Sequence, residues 1–480
     1  MRRMTALGLG TIIFVLVANA LLRGPAIDEF ATLQLSDLGK GFSAIGDGWL
    51  HDTHPPLFAL WSTLLSLIGV TSIPAARLLS NVPPVVMIIY TARRFTRREP
   101  DELTFHAALL LLVLSAPATV DAFASYRSGF WEIAALTVLV QVARHVAIAN
   151  ADLRGRRDQG LAPLAVTAAA CAIMIHYVGG IFGVTLTAAI ILGALAKGLK
   201  RWARLLIWAI VAAGLSTLLF AWLQSEHWIS GLDKNWPAGV PGSAIVLGLG
   251  IGALIHNPVP LAGLFYVRHD WSRKESGFVV LILGALVAAL LLLIEIDSQK
   301  PLLSANNLGG ISVLVCALMA ALADKFAVER RLHGLLVLVS VLVVLVPFVL
   351  HGPDRRWQAN AKRISQIAVT CPATRIYAAS PWLLHDGAGV KARRDDSTFA
   401  RGYNHVGESR GFVPQVIGRT GTTRIAMGDC PTLLWIEQMP VDAGFKPESA
   451  LAAARLKGLD GAHLTLIRSK SGFVVRVDRP

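Results

Sequence analysis

Pro25-Ala26-Ile27-Asp28-Glu29-Phe30 and, farther on, His51-Asp52-Thr53-His54-Pro55-Pro56-Leu57 bound the stretch on which the reading of this chain turns. Between them the sequence is mostly polar and holds Asp37 and Asp47. An apolar segment, Thr5 to Leu22, precedes the stretch behind the basic start Met1-Arg2-Arg3-Met4, and a long apolar remainder follows. Ionisable groups are rare in such chains and mark function where they gather. The first segment has the basic flank of a signal peptide, yet Leu22-Arg23-Gly24-Pro25 offers no small-residue cleavage site. It is therefore expected to be a first span with its basic end in the cytoplasm. Asp28 then lies a few residues past a membrane surface.

Composition agrees. Apolar residues make up 54% of the 480 and charged residues 16%, well below the roughly 25% of soluble domains. The mean hydropathy is +0.56. A formal net charge of +14 would suit nucleic acid, but the positions of the charges exclude that reading. The basic residues fall in short loops between apolar segments: Arg93, Arg94, Arg97 and Arg98; Arg154, Arg156 and Arg157; Lys197, Lys200, Arg201 and Arg204; Arg268, Arg273 and Lys274; Lys325, Arg330 and Arg331. The alternating loops hold few, and short basic loops stay cytoplasmic.

A crossing needs about 20 apolar residues. The sequence predicts spans at 5–22, 74–92, 103–119, 128–148, 161–176, 180–196, 205–223, 244–266, 277–294, 306–323 and 334–350. These eleven put the N-terminus inside and everything after His351 outside. Pro55 to Val70 is also apolar, but a crossing there would turn every later basic loop outward. It reads as a re-entrant or interfacial helix against the outer leaflet.

The fold class that follows is an α-helical polytopic membrane protein over residues 1–350, with an external loop at 23–73 carrying juxtamembrane helices, and a small C-terminal α/β soluble domain over 351–480. In the tail charge density rises, and β-prone runs appear at Arg375–Ala379, Thr432–Ile436, His463–Ile467 and Phe473–Val477. A helical pattern near Ser449–Leu456 lies among them. Cys171 and Cys316 fall within spans as small apolar residues. Cys371 and Cys430 fall in the tail, as either a disulfide that an external compartment permits or two buried thiols.

The residue types in the loop leave their roles open. Asp28 and Glu29 suit the first turn of a helix, whose dipole favours carboxylates, as well as they suit acid–base chemistry. Asp52 suits an Asx turn, and His51 and His54 suit turn packing. Asp28, Glu29, Asp52 and His54 together could hold a divalent metal. Arg77, with Asn81 one turn on, faces either the bundle interior for function or the interface by snorkelling. Tyr126-Arg127 opens the fourth span from outside, and Lys300 precedes a late span. At the turn after the fifth span, Gly179-Gly180 account for the tight reversal, with His176 and Tyr177 free to face a substrate.

Asp28-Glu29 soon after the first span, followed by Asp52-Thr53-His54-Pro55-Pro56-Leu57, resembles the multi-span GT-C glycosyltransferases, in particular the protein O-mannosyltransferase and aminoarabinose-transferase superfamily. Arg77-Leu78-Leu79-Ser80 is similar to the Arg-Leu-Pro-Ser that often opens the family's next span, departing at one position. The resemblance covers roughly residues 1–200 and thins toward 350; the tail carries no recognisable part of it. It implies a sugar donor on a polyprenyl phosphate and a lipid, glycan or protein acceptor at the external face of a cell inner membrane. It also implies Asp28 as general base, with Glu29 and Asp52 beside it. The leaving phosphate would need a cation, for which Arg77, Arg127 and Lys300 are the candidates. His54, Tyr126, His176 and Tyr177 complete the substrate-binding set. A transporter or flippase for lipid-linked glycans is the competing class. It predicts ionisable groups at mid-bilayer and paired broken helices, whereas the charges here concentrate near the outer surface.

Overall fold

The computed structural model describes residues 2–50, 54–148, 161–235, 242–266, 273–299, 308–325, 330–353, 356–381, 396–418, 422–437, 444–469 and 471–480. In chain order the helices are α1 (Arg2–Leu22), α2 (Ile27–Leu35), α3 (Phe42–Leu50), α4 (Pro56–Leu67), α5 (Ile73–Arg98), α6 (Leu103–Ser115), α7 (Pro117–Phe123), α8 (Gly129–Ile148), α9 (Ala162–Met174) and α10 (Tyr177–Ala196). They continue with α11 (Lys200–Asn235), α12 (Gly242–Ile255), α13 (Val259–Tyr266), α14 (Arg273–Gln299), α15 (Gly309–Lys325), α16 (Arg330–His351), α17 (Trp357–Thr370), α18 (Asp396–Glu408) and α19 (Pro447–Ala453). The chain divides into two compact units. One takes Met1–Leu21, Ser36–Trp228 and Trp236–Gly352; the other takes Leu22–Leu35, Ile229–Asn235 and Pro353–Pro480.

The first unit is a multi-pass membrane bundle. Helix lies on each expected span, but among the described residues seven helices are long and apolar enough to cross, or eight if a bent pair counts as one. That pair is α6 and α7, which bend by 66°. Ala116 is extended there, as the residue before Pro117 must tend to be. The expected count of eleven is reached only by adding shorter helices: α9 has 13 residues, α12 has 14 and α15 has 17. α4, with 12 residues, is likewise too short to cross, as its interfacial reading requires. α8 is apolar nearly all round and lies at the centre, with Ile133, Leu136, Leu139, Val140 and Ala143 buried against the neighbouring helices. Between α12 and α13 the helix breaks before Pro258. Asn257 answers the break: its Oδ1 accepts from Val259 N at 3.3 Å, and its Nδ2 donates to Leu336 O and Ser340 Oγ at 3.1 and 2.8 Å. Backbone freed inside a membrane needs such partners.

The second unit is a mixed five-stranded sheet with helices against it. Its strands are β1 (Arg375–Ala379), β2 (Gln415–Ile417), β4 (Thr432–Glu437), β6 (His463–Arg468) and β7 (Gly472–Asp478), in the order β2-β1-β4-β7-β6. β3 (Thr423–Arg424) and β5 (Leu456–Lys457) form a separate parallel pair. β1 runs parallel to β2 and β4, while β7 runs antiparallel to β4 and β6. All six residues of β4 are buried, as befits a central strand. α17 buries Trp357, Asn360, Ala361 and Ile364, the i, i+3, i+4, i+7 stripe of a helix facing a core. Cys371 and Cys430 are joined in a disulfide with their Cα atoms 5.6 Å apart, which ties the end of α17 to the entry of β4.

Candidate functional site

In the membrane unit, residues far apart in sequence meet at the end of the bundle where α8 begins. Gln224 on α11, only 2% exposed, is the hub. Its amide nitrogen, Nε2, donates to Trp49 O at 2.6 Å and to His54 O at 3.2 Å, and its Oε1 accepts from the Tyr177 hydroxyl at 2.7 Å. One amide thus holds the start of α10, Trp49 at the end of α3 and His54 ahead of α4. The His54 ring lies edge-on to His176, 4.9 Å between centroids, and its Nε2 is 3.5 Å from Arg127 Nη2.

His176 is the N-cap of α10. Its Nδ1 accepts from Gly179 N at 3.2 Å, so in the neutral ring the proton sits on Nε2. The sequence assigned the reversal to Gly179-Gly180. The structure corrects this: both glycines are helical, and extended His176 makes the turn. The glycines serve close approach instead. A Cβ on Gly180 would lie 2.8 Å from Ile173 O, and one on Gly179 would collide with the Glu132 carboxyl group.

Glu132, in the first turn of α8 and 1% exposed, was not singled out from the sequence. Its Oε1 accepts from Gly310 N at 3.2 Å, where α15 begins. The carboxylate therefore lies against the starts of two helices, a position their dipoles favour. Gln224 was missed as well; its one signal was an amide at the end of an otherwise apolar span.

Tyr126 is buried and packs edge-on to Phe58 at 5.6 Å. Burial pushes its phenol up to about 12, partly offset by the nearby Ser62 and Ser36 hydroxyls, so it stays protonated at any physiological pH. Arg77 is fully buried, and its Nη1 donates to Ala20 O at 2.9 Å, answering a carbonyl in the last turn of α1. Asn81, one turn on, donates to Phe123 O and Ser125 O at 2.8 and 3.0 Å. Both face the bundle interior, where their contacts fasten helix ends.

The structure thus brings together His54, Arg127, His176 and Tyr177, with Tyr126 beside Ser62 and Ser36. Asp52 and Lys300 lie outside the described residues. Asp28 and Glu29 belong to the second unit, on α2. Glu29 Oε2 accepts from Ala26 N at 2.8 Å, the third helical residue reaching back to the cap. Of the two open roles, Glu29 therefore fills the capping one. Asp28, beside it, is half-buried, and its carbonyl accepts from Thr32 Oγ1 at 2.9 Å. Among the described residues no group of three His, Cys, Asp or Glu is placed to hold a metal ion.

No family model matches the chain, and no curated protein does. The chain is similar to the crystal structure of ArnT from Cupriavidus metallidurans in the apo state, at 14% identity, covering 98% of this chain and 97% of that one with a TM-score of 0.51. The same protein bound to undecaprenyl phosphate aligns at 15% identity over the same shares, with a TM-score of 0.49. At that identity the likeness is one of architecture: along nearly its whole length, tail included, the chain has the fold of ArnT, a GT-C glycosyltransferase.

Proposed function

We propose that the chain is a membrane glycosyltransferase that moves a sugar from a polyprenyl-phosphate donor to an envelope lipid, glycan or protein at the external face of the inner membrane. The N-terminus is cytoplasmic and the tail external. The observation that carries this reading is the convergence of Arg127, His54, His176 and the Tyr177–Gln224 pair at one end of a multi-span bundle.

In the transfer, an acceptor hydroxyl oxygen bonds to the anomeric carbon, the bond from that carbon to the phosphate oxygen breaks, and the electron pair leaves on the lipid phosphate. Asp28 takes the hydroxyl proton; a placed base contributes about 10²–10⁴-fold. Arg127 answers the charge that grows on the phosphate. His176, with its Nδ1 engaged by Gly179 N, offers its Nε2 proton to the same anion. His54, Tyr126 and Tyr177 line the donor side, and Asp52 and Lys300 keep the supporting roles that the family resemblance implies. Arg77 acts one step back, through the end of α1, and Glu29 supports Asp28 as the cap of its helix.

The test is twofold. A glycolipid and polysaccharide profile of cells lacking the protein should show one missing sugar, which names donor and acceptor class. Asp28→Asn, supplied in those cells at normal abundance, should fail to restore it. Full restoration by that variant would remove Asp28 from the mechanism, and an unchanged profile in the deletion would remove the transferase reading.

A further inference from the structure

α2 is nine residues long, too short to be stable alone in water. What holds it lies in the C-terminal domain. Phe30, 1% exposed, packs against Trp357 with ring centroids 5.5 Å apart and against His405 at 5.7 Å. Gln34, one turn on, accepts from Thr398 Oγ1 of α18 at 3.0 Å. Gly402 of α18 keeps the seat open: a Cβ there would come within 2.7 Å of the Trp357 ring and 3.0 Å of Phe30.

The wall behind this seat is itself fastened. Tyr403 donates to Ala379 O at 2.8 Å and accepts from Glu437 N at 2.9 Å, tying α18 to the carboxyl ends of β1 and β4. The Glu437 carboxylate, fully buried, accepts from Trp435 Nε1, Asn360 Nδ2 and Ser471 Oγ, each at 2.7 Å. Asn360 and Trp357 share the inward face of α17. The aromatic seat for Phe30 is therefore built from both helices and the centre of the sheet.

Phe30 and Gln34 are four residues apart and share one helix face. Asp28, two residues before Phe30, emerges roughly 200° around the helix from it. Seating Phe30 and Gln34 thus fixes the rotation of α2 and turns Asp28 away from α18. We propose that the C-terminal α/β domain is the mount of the general base, with Phe30, Gly402 and Gln34 as positioning residues that set the direction of the Asp28 carboxylate. The proposal rests on Asp28 being that base. It gives the tail a task in the transfer itself, because a displacement of about 1 Å in a reacting group can cost 10²-fold in rate.

The experiment uses full-length protein in membranes from cells lacking the gene, supplied with the polyprenyl-phosphate-sugar fraction extracted from those cells. Phe30→Ala and Gly402→Ala should lower turnover at saturating donor by about 10- to 100-fold, with the half-saturating amount of donor unchanged within about twofold. In the same purified proteins the amide hydrogens of α2 should exchange faster, and Phe30→Leu should recover most of the turnover. Should Phe30→Ala fail to accumulate, Gln34→Ala removes the Thr398 bond while leaving the Phe30 ring in place, and carries the same test at about fivefold or less. Faster exchange in α2 with turnover unchanged would overturn the proposal, and so would lost turnover with α2 exchange unchanged. Asp28→Asn run in parallel separates the two readings. If it is inactive while a loosened Gly402→Ala turns over normally, the mount alone falls; if Asp28→Asn is active, the base falls and the mount with it.

Discussion

The two ends of α8 are built from different chemistry. At its last turns Arg144, 2% exposed, reaches Glu102 Oε2 at 2.7 Å and Asp324 Oδ2 at 2.8 Å, with its guanidinium 4.8 Å from the Phe105 ring centroid. Lys325 pairs with Glu275 nearby, and His145 lies 3.3 Å from Glu99. At the other end half-buried Arg127 meets an imidazole, imidazole meets imidazole, and an amide gathers a phenol and two carbonyls. A buried cation whose carboxylates are already in place fastens helices and has little left for a ligand. Arg127, half-buried beside the His54 ring, keeps contact with solvent, which Arg144 has lost.

The largest effect should separate the ends by stability. Arg144→Ala leaves Glu102 and Asp324 with an uncompensated buried charge, a loss of about 3–5 kcal/mol. It should appear as a lower unfolding temperature in detergent and poor accumulation, with sugar transfer falling only in proportion to folded protein. An Arg144→Ala protein that melts like the wild type would erase the contrast.

Arg127→Ala should do the reverse. If Arg127 is the cation proposed for the leaving phosphate, transfer should fall by about 10²–10³-fold, while the unfolding temperature moves little for a residue that is only half-buried. A loss of stability matching that of Arg144→Ala would make Arg127 a fastener as well. Gln224→Ala stands between them. It removes the bonds that Gln224 makes to the Tyr177 hydroxyl and to the carbonyls of Trp49 and His54; it should lower transfer about tenfold and cost about 1–3 kcal/mol of stability. Retained activity in Gln224→Ala would mean that His54 holds its place without the amide.

Which parts were legible follows from the range of the forces involved. The apolar periodicity and the alternating basic loops are local, and they located the helices; the β-prone runs likewise located β1, β4, β6 and β7. Crossing number was less legible, because α9 and α12 are apolar yet short, and Pro117 bends one helix into two. The motif residues His54, Arg127, His176 and Tyr177 were visible by type. Their meeting was not, because it depends on Gln224, whose partners lie 47 to 175 residues away in sequence. Glu132 was hidden for a similar reason, since its partner Gly310 is 178 residues distant. Arg77 shows the converse: its depth was readable, but its partner, the last turn of α1, was not.

The smallest effect tests whether Tyr126 belongs with the responsive groups or with the fasteners. Its hydroxyl lies near the Ser62 and Ser36 hydroxyls in a buried setting, so Tyr126→Phe should cost about 1 kcal/mol. The phenol's ionisation is raised from 10.0 to about 12. For a group raised in the folded state, the stabilisation is fully present below the unfolded value and drains away as pH rises through the folded one. The wild type should therefore exceed Tyr126→Phe in stability by a constant margin below pH 10, and the margin should shrink between about pH 10 and 12. Unfolding followed across that window decides the matter. A margin that instead grows as pH rises from neutral toward 10 would mean that the folded phenol ionises more readily than a free one, which would move Tyr126 from the scaffold of the Arg127 end into its chemistry.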